Sequence, residues 1–426
     1  MSGPAVKKAR IVVILFYVFV ITGLALYDEK PNPELARDMT HPLPQIMEPG
    51  NAWIVFLGFR APEGASPYPY GEEKMRKVQN AVLRGQNVNE VLRAVNDDRS
   101  ELSFHGKIPS FSRQKYCGMP AYAAAHAEEI TTLLSRNEEL LRRYESLRTY
   151  PRYTEPLDYG TYGPMPWFAA VKHAAVARLL QLAVGVGRGE IEEALAGARE
   201  EAEFWRFIAR SSTTLISRMV ACAILKQDLL FVGDLAACRR LNAQELATVR
   251  NILRPFDKGE AGLGATFRGE SRYMRKSVEC ALGLNRNSWL PVAMIYKSNA
   301  SGNRICDHFQ DFIGLAEMTP QEFAVKVKQR KDSNESLRGI GIPFLYNPAG
   351  EIISHHIQAF GSFLPHYIAV GHDLEGFRRL LLLRVSAGVE NISKRKFFSK
   401  LVAATFTTHH ISVIIPTQDC RKRAQG

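Results

Sequence analysis

An uncharged run at residues 11–27, directly behind the basic stretch of Lys7, Lys8 and Arg10, constrains this chain more than any other feature. As a helix rising 1.5 Å per residue it spans about 26 Å, enough for a bilayer core with help from its flanks. The basic side, residues 1–10, stays in the cytoplasm. The chain from Asp28 onward then faces the periplasm of a bacterium or an equivalent space, with Tyr17 and Tyr27 near the two interfaces. A cleaved signal peptide competes with this reading, because Gly23-Leu24-Ala25 puts small residues where signal peptidase inspects the chain. The length of the run favours a retained anchor, and no Cys follows it to receive a lipid.

Only one such run exists. With 46% apolar and 23% charged residues in 426, the remainder has the composition of an ordinary globular body with a sizeable core. A mean hydropathy of −0.16 excludes a polytopic membrane protein. The net charge of +12 is spread along the chain. That supports a general affinity for anionic surfaces, while no helix-turn-helix or RNP signature points to nucleic acid, and no nucleic-acid partner is expected.

The patterning predicts an all-α protein: one N-terminal transmembrane helix, then packed helical hairpins of repeat-like geometry. Pro31, Pro33, Pro42, Pro44 and Pro49 make residues 28–50 read as an extended tether. The helical body is expected over 51–390, although the apolar stretch 51–59 fits helix or strand equally. Ile130, Leu133, Leu134, Leu140, Leu141, Tyr144 and Leu147 recur at three- and four-residue steps and predict one helix over 122–150. Further helices are expected at 167–184, 190–210, 215–230 and 233–240, with Gly185-Val186-Gly187-Arg188-Gly189 as a hairpin turn. Asn242 with Glu245 and Thr319 with Glu322 carry the capping-box pattern. A helix over 267–284 is expected to expose Arg272, Arg275 and Lys276, and another to start at Asn347-Pro348. Gly361 and Pro365 are read as a break before a helix at 374–385. The tail, 391–426, mixes basic residues with a β-branched run at 411–415 and does not fit the helical pattern.

No complete catalytic constellation is present. His126-Ala127-Glu128 lacks the downstream Cys pair of a zinc deaminase. Cys306, His308, His355, His356, His366 and His372 lack metal-site spacing, and no G-x-S-x-G occurs. No metal site and no cofactor is expected. The six cysteines form no C-x-x-C pair; Cys222 with Cys238 is one conceivable staple between adjacent helices, but Cys222 and Cys280 fit better as small core residues.

Several short stretches together resemble a known family: Asn51-Ala52-Trp53 running into Leu57-Gly58-Phe59 and Ala61-Pro62, Gly269-Glu270, Tyr296-Lys297-Ser298-Asn299 with Asn303, and Tyr346-Asn347-Pro348-Ala349-Gly350. These resemble uncharacterised proteobacterial proteins with one N-terminal transmembrane segment and a helical periplasmic body. The likeness runs over 51–386, and the stretch after Gly388 departs from it. It implies a fold and an address in the bacterial inner membrane rather than a reaction. The expected function is that of a single-pass anchored binding or scaffold module, held in the membrane through 11–27 with an envelope protein as partner. The alternative is an envelope hydrolase with a dispersed site, for which Glu270, His308, Asn303 and Glu351 are the candidates.

Overall fold

The short apolar stretch after Asn51 settles as helix. Asn51 accepts from the Trp53 amide as an N-cap, and all six residues of the helix Ala52–Leu57 are buried. A helix that is apolar on every side belongs in the middle of a protein. The computed structural model describes residues 10–17, 19, 23, 27–40, 45–96, 100–109, 118–282, 295–332 and 346–386. Among these, helix is the only extended regular structure, with one isolated parallel bridge between Asn51 and Arg152. The tail at 391–426 with its β-branched run, Cys117 and Cys420 lie outside the described residues, as does the linker from 333 onward.

In chain order the helices are α1 (Pro33–Thr40), α2 (Ala52–Leu57), α3 (Pro67–Leu83), α4 (Val88–Asn96), α5 (Met119–Ala125), α6 (Ala127–Arg136), α7 (Glu138–Ser146), α8 (Phe168–Gly187), α9 (Ile191–Ser211), α10 (Leu215–Cys238), α11 (Ala243–Ile252), α12 (Lys258–Ala261), α13 (Gly264–Ala281), α14 (Ser298–Ala316), α15 (Pro320–Asp332), α16 (Pro348–Gly361) and α17 (Leu364–Ser386). Helices α8, α9 and α10 pack against one another at the centre, and Phe56 of α2 stacks on Trp205 of α9 at 6.0 Å. Helix α8 is long and apolar enough to cross a membrane, but 67% of its apolar window is buried inside the protein, the position of a core helix. Residues 10–17 are helical as well, and there Ile11 to Tyr17 leave every large apolar side chain exposed.

The backbone of α2 runs against that of α3 where two glycines meet. A Cβ on Gly71 would stand 2.0 Å from the Ile54 carbonyl oxygen, and one on Gly58 would stand 1.9 Å from that of Pro67. Neither oxygen can move without unwinding its helix. Gly71→Ala is therefore expected to cost about 3 kcal/mol, the upper end of ordinary overpacking, read as a lower thermal midpoint.

Several expectations need correction. The helix expected over 122–150 is three helices, α5 to α7, broken at His126 and Asn137. The Asn137 side chain explains the second break: it accepts from the His105 amide and donates to the carbonyls of His105 and Leu133, tying the loop at 100–109 to the helix end. The stretches 215–230 and 233–240 are one helix, because Gly233 stays helical with Leu381 packed on it. Gly185 and Gly187 are the last turn of α8, and only Gly189, at φ +93°, makes the turn. Pro365 starts α17 from its first turn, so that helix begins ten residues earlier than expected. The boxes at Asn242 with Glu245 and Thr319 with Glu322 are formed.

Arg272 and Arg275 are not exposed; they are 8% and 6% accessible. They belong to a set of buried arginines that spend their charge inside. Arg143 donates to the carbonyls of Phe59, Ala61, Pro62 and Ala65, and Arg218 to those of Ala209, Gly259 and Glu260. Arg206 meets Glu260 at 2.7 Å with both side chains buried. Part of the positive excess read from composition therefore holds loops in place rather than lining the surface.

Candidate functional site

The first part of the segment expected to be an extended tether is docked on the body. Asp28 accepts from the amides of Asn299 at 2.9 Å and Ala300 at 3.1 Å, so it caps the start of α14. Asn32 donates its amide to Asn303 at 2.7 Å and its side chain to Asp307 at 2.8 Å, while Asn303 donates to the Lys30 carbonyl at 2.9 Å. Leu35 of α1 is buried against Gly302, where a Cβ would come within 2.8 Å of it. Asp38 pairs with Arg275 at 2.5 Å and lies 3.6 Å from Arg272. Residues 28–40 thus form an arm that the helical body holds along its length.

The same helix start gathers the motifs that lay scattered in the sequence. The Asn347 side chain accepts from the amides of Lys297 and Gly350 and donates to Ser301 at 2.9 Å. Gly350 is required there, since a Cβ would stand 2.1 Å from the Asn347 amide group. Lys297 places its ammonium 5.6 Å from the centre of the Tyr346 ring, and that ring packs on Tyr27 at 6.1 Å. Burial pulls the Lys297 pKa below the usual lysine value, against the pull of Asp28. Tyr346 is pushed up to about 12 by burial, helped by the negative charges of Asp28 and Glu29.

The four sequence candidates have structural partners of their own. Asn303 holds the arm. Glu351 pairs with Arg304. His308 packs its ring on Phe312 at 5.0 Å and against the backbone at Gly361, which is about 15 Å along α16 from Glu351. Asn303 and His308, five positions apart, point about 140° away from each other around α14. Glu270 lies on α13 and accepts from the Leu215 amide at the start of α10.

Beside Glu270 stands a carboxylate that sequence reading missed. Glu155 accepts from the amides of Thr213 and Thr214 and from the hydroxyls of Thr213, Thr214 and Ser217. No local pattern marks it, because it sits in the loop after Pro151 and meets α10 some sixty residues on. Burial, with Glu155 adding to it, raises the Glu270 pKa to about 7, against the Leu215 amide. Because the folded value lies above the unfolded one, Glu270 lowers stability as pH rises from about 4.5 to about 7, by up to about 3 kcal/mol at pH 8. Glu270→Gln keeps an acceptor for Leu215. It is expected to flatten the dependence of the thermal midpoint on pH between 5 and 8 and to raise that midpoint at pH 8.

Among the described residues no group of three His, Cys, Asp or Glu side chains is arranged to hold a metal ion. Cys222 and Cys238 share α10 at sixteen positions, about 24 Å, far beyond the reach of a disulfide. Cys222 and Cys280 are buried core residues as expected. The hairpin of α14 and α15 carries an open groove of about 650 Å³ lined by Gly314, Met318, Val325 and Lys326. No protein-family model, no curated protein and no solved structure matches this chain.

Proposed function

We propose that this protein is a single-pass membrane-anchored helical module of a bacterial cell envelope, with its body outside the cytoplasm and a second envelope component as its binding partner. The observation that carries the reading is the arm: the exposed apolar helix at 10–17 leads, through Tyr27, into residues that are docked on the body from Asp28 to Asp38. A chain built this way keeps its body against the bilayer instead of swinging it on a free linker. Such a module suits holding a partner at the membrane surface. The hydrolase alternative gains no support from the side chains named for it: Glu270 caps, Asn303 docks the arm, Glu351 pairs with Arg304, and His308 packs its ring on Phe312.

Membrane fractionation of the full chain, with protease added from the outer side and sequencing of the mature N-terminus, tests the reading. The expected product is membrane-bound, digestible from outside and retains Met1 or Ser2. A soluble product starting near Leu26 would mean a secreted protein, and a protected body would overturn the topology. Affinity capture from solubilised membranes should then enrich an envelope protein; failure to enrich one across detergents would remove the binding role.

A further inference from the structure

We infer that the exposed face of α16 rests on the lipid surface beside the anchor, so that the body has a second membrane contact; this rests on the anchored reading above. Tyr27 ends the apolar run, and Tyr346 is bound to it twice, ring against ring and by its hydroxyl to the Tyr27 carbonyl at 3.3 Å. Paired tyrosines at the end of a spanning segment suit the aromatic belt of the membrane interface. Helix α16 starts two residues after Tyr346, so its first turns lie where the anchor leaves the bilayer. The interfacial layer is about 5–7 Å deep on each side, and Ile352 is only about 6 Å along α16 from Pro348.

The helix is two-faced at that place. Ile357 and Ser354 are buried on the side that packs against α14, while Ile352 is 50% accessible and His355 and His356 are exposed. Those three exposed positions share an arc of about 100°. Phe363, 64% accessible, follows just past the helix end. The acidic neighbour on this helix, Glu351, is neutralised by Arg304. An apolar residue at each end with imidazoles between them suits a helix lying in the interface, where Ile352 and Phe363 enter the acyl boundary and the imidazoles meet headgroup phosphates. A lipid surface is thus the occupant that continuity with the anchor selects.

The test is photo-crosslinking of the full chain in phosphatidylcholine vesicles, with p-benzoylphenylalanine in place of Ile352, Phe363, Tyr27 or, as an exposed site on α3, Leu83. Expected are phospholipid adducts, seen as a one-lipid mass shift, at 27, 352 and 363 and none at 83. Adducts at 27 without any at 352 and 363 would overturn the inference and leave the anchor standing. So would crosslinks from 352 or 363 to a second copy of the chain, which would make this face a dimer contact. Loss of adducts at 27 as well would remove the anchor and the inference together.

Discussion

Glu155→Ala is expected to lower the stability of the body by about 4 kcal/mol, among the largest effects for a single substitution away from the hydrophobic core. Its two oxygens take five donors, two of them backbone amides at the start of α10. Truncation leaves the buried Thr214 amide and the half-buried Thr213 amide without an acceptor, and an orphaned buried donor costs about 1–3 kcal/mol. The hydroxyls of Thr214 and Ser217 can turn toward each other at 3.2 Å and recover part of the loss. Glu155→Gln keeps one acceptor oxygen and is expected to lose about half as much, since it gives up charge-assisted bonds for neutral ones. The contrast with Glu270 is the diagnostic result. Two buried glutamates serve the same helix start, yet neutralising Glu155 destabilises and neutralising Glu270 at pH 8 does not. Thermal unfolding of Glu155→Gln, Glu270→Gln and the double variant beside the unaltered chain, at pH 5 and pH 8, measures this directly. A stable Glu155→Ala protein would show that α10 does not depend on this cap.

Local chemistry made much of the architecture legible. The three- and four-residue spacing from Ile130 to Leu147 indicates helix correctly and runs across the break at Asn137, because the short helices on either side keep the same apolar face. The capping box at Asn242 and Glu245 is a four-residue pattern and formed as written. What stayed hidden depends on partners far away in the chain. Pro31 and Pro33 argue for extended backbone, and nothing near them announces that Asp28 will cap a helix about 270 residues later. Arg275 looks like a surface arginine paired with its i+4 neighbour Glu279 until the distant Asp38 is placed beside it. The site candidates stay apart for a related reason: Glu270 and Asn303 lie in, and Glu351 directly after, stretches where the body fastens its arm and its helix ends.

That fastening makes Leu35→Ala the second large effect. Leu35 is 2% accessible and fills the notch left by Gly302, and a buried leucine cut to alanine costs about 2–5 kcal/mol. The remaining holds on the arm are polar. The Asp28 cap is worth about 1 kcal/mol, the Asn32 contacts with Asn303 and Asp307 are open to water and add little, and Asp38 pairs with buried arginines that Asp158 and Glu279 also hold, so its release strands no charge. Without Leu35 those holds cannot keep the arm in place. Amide exchange of the full chain in vesicles should show this, because the amides of Asn299 and Ala300 reach their acceptor only while Asp28 is docked. Their protection is expected to fall by about 30-fold or more, the equivalent of 2 kcal/mol, while amides in α8 stay protected. Equal loss at α8 would mean that the arm and the core unfold as one unit. Unchanged protection at Asn299 and Ala300 would mean that the polar contacts alone hold the arm, and the rigid footing would then rest on Asp28 and Asp38 instead of Leu35.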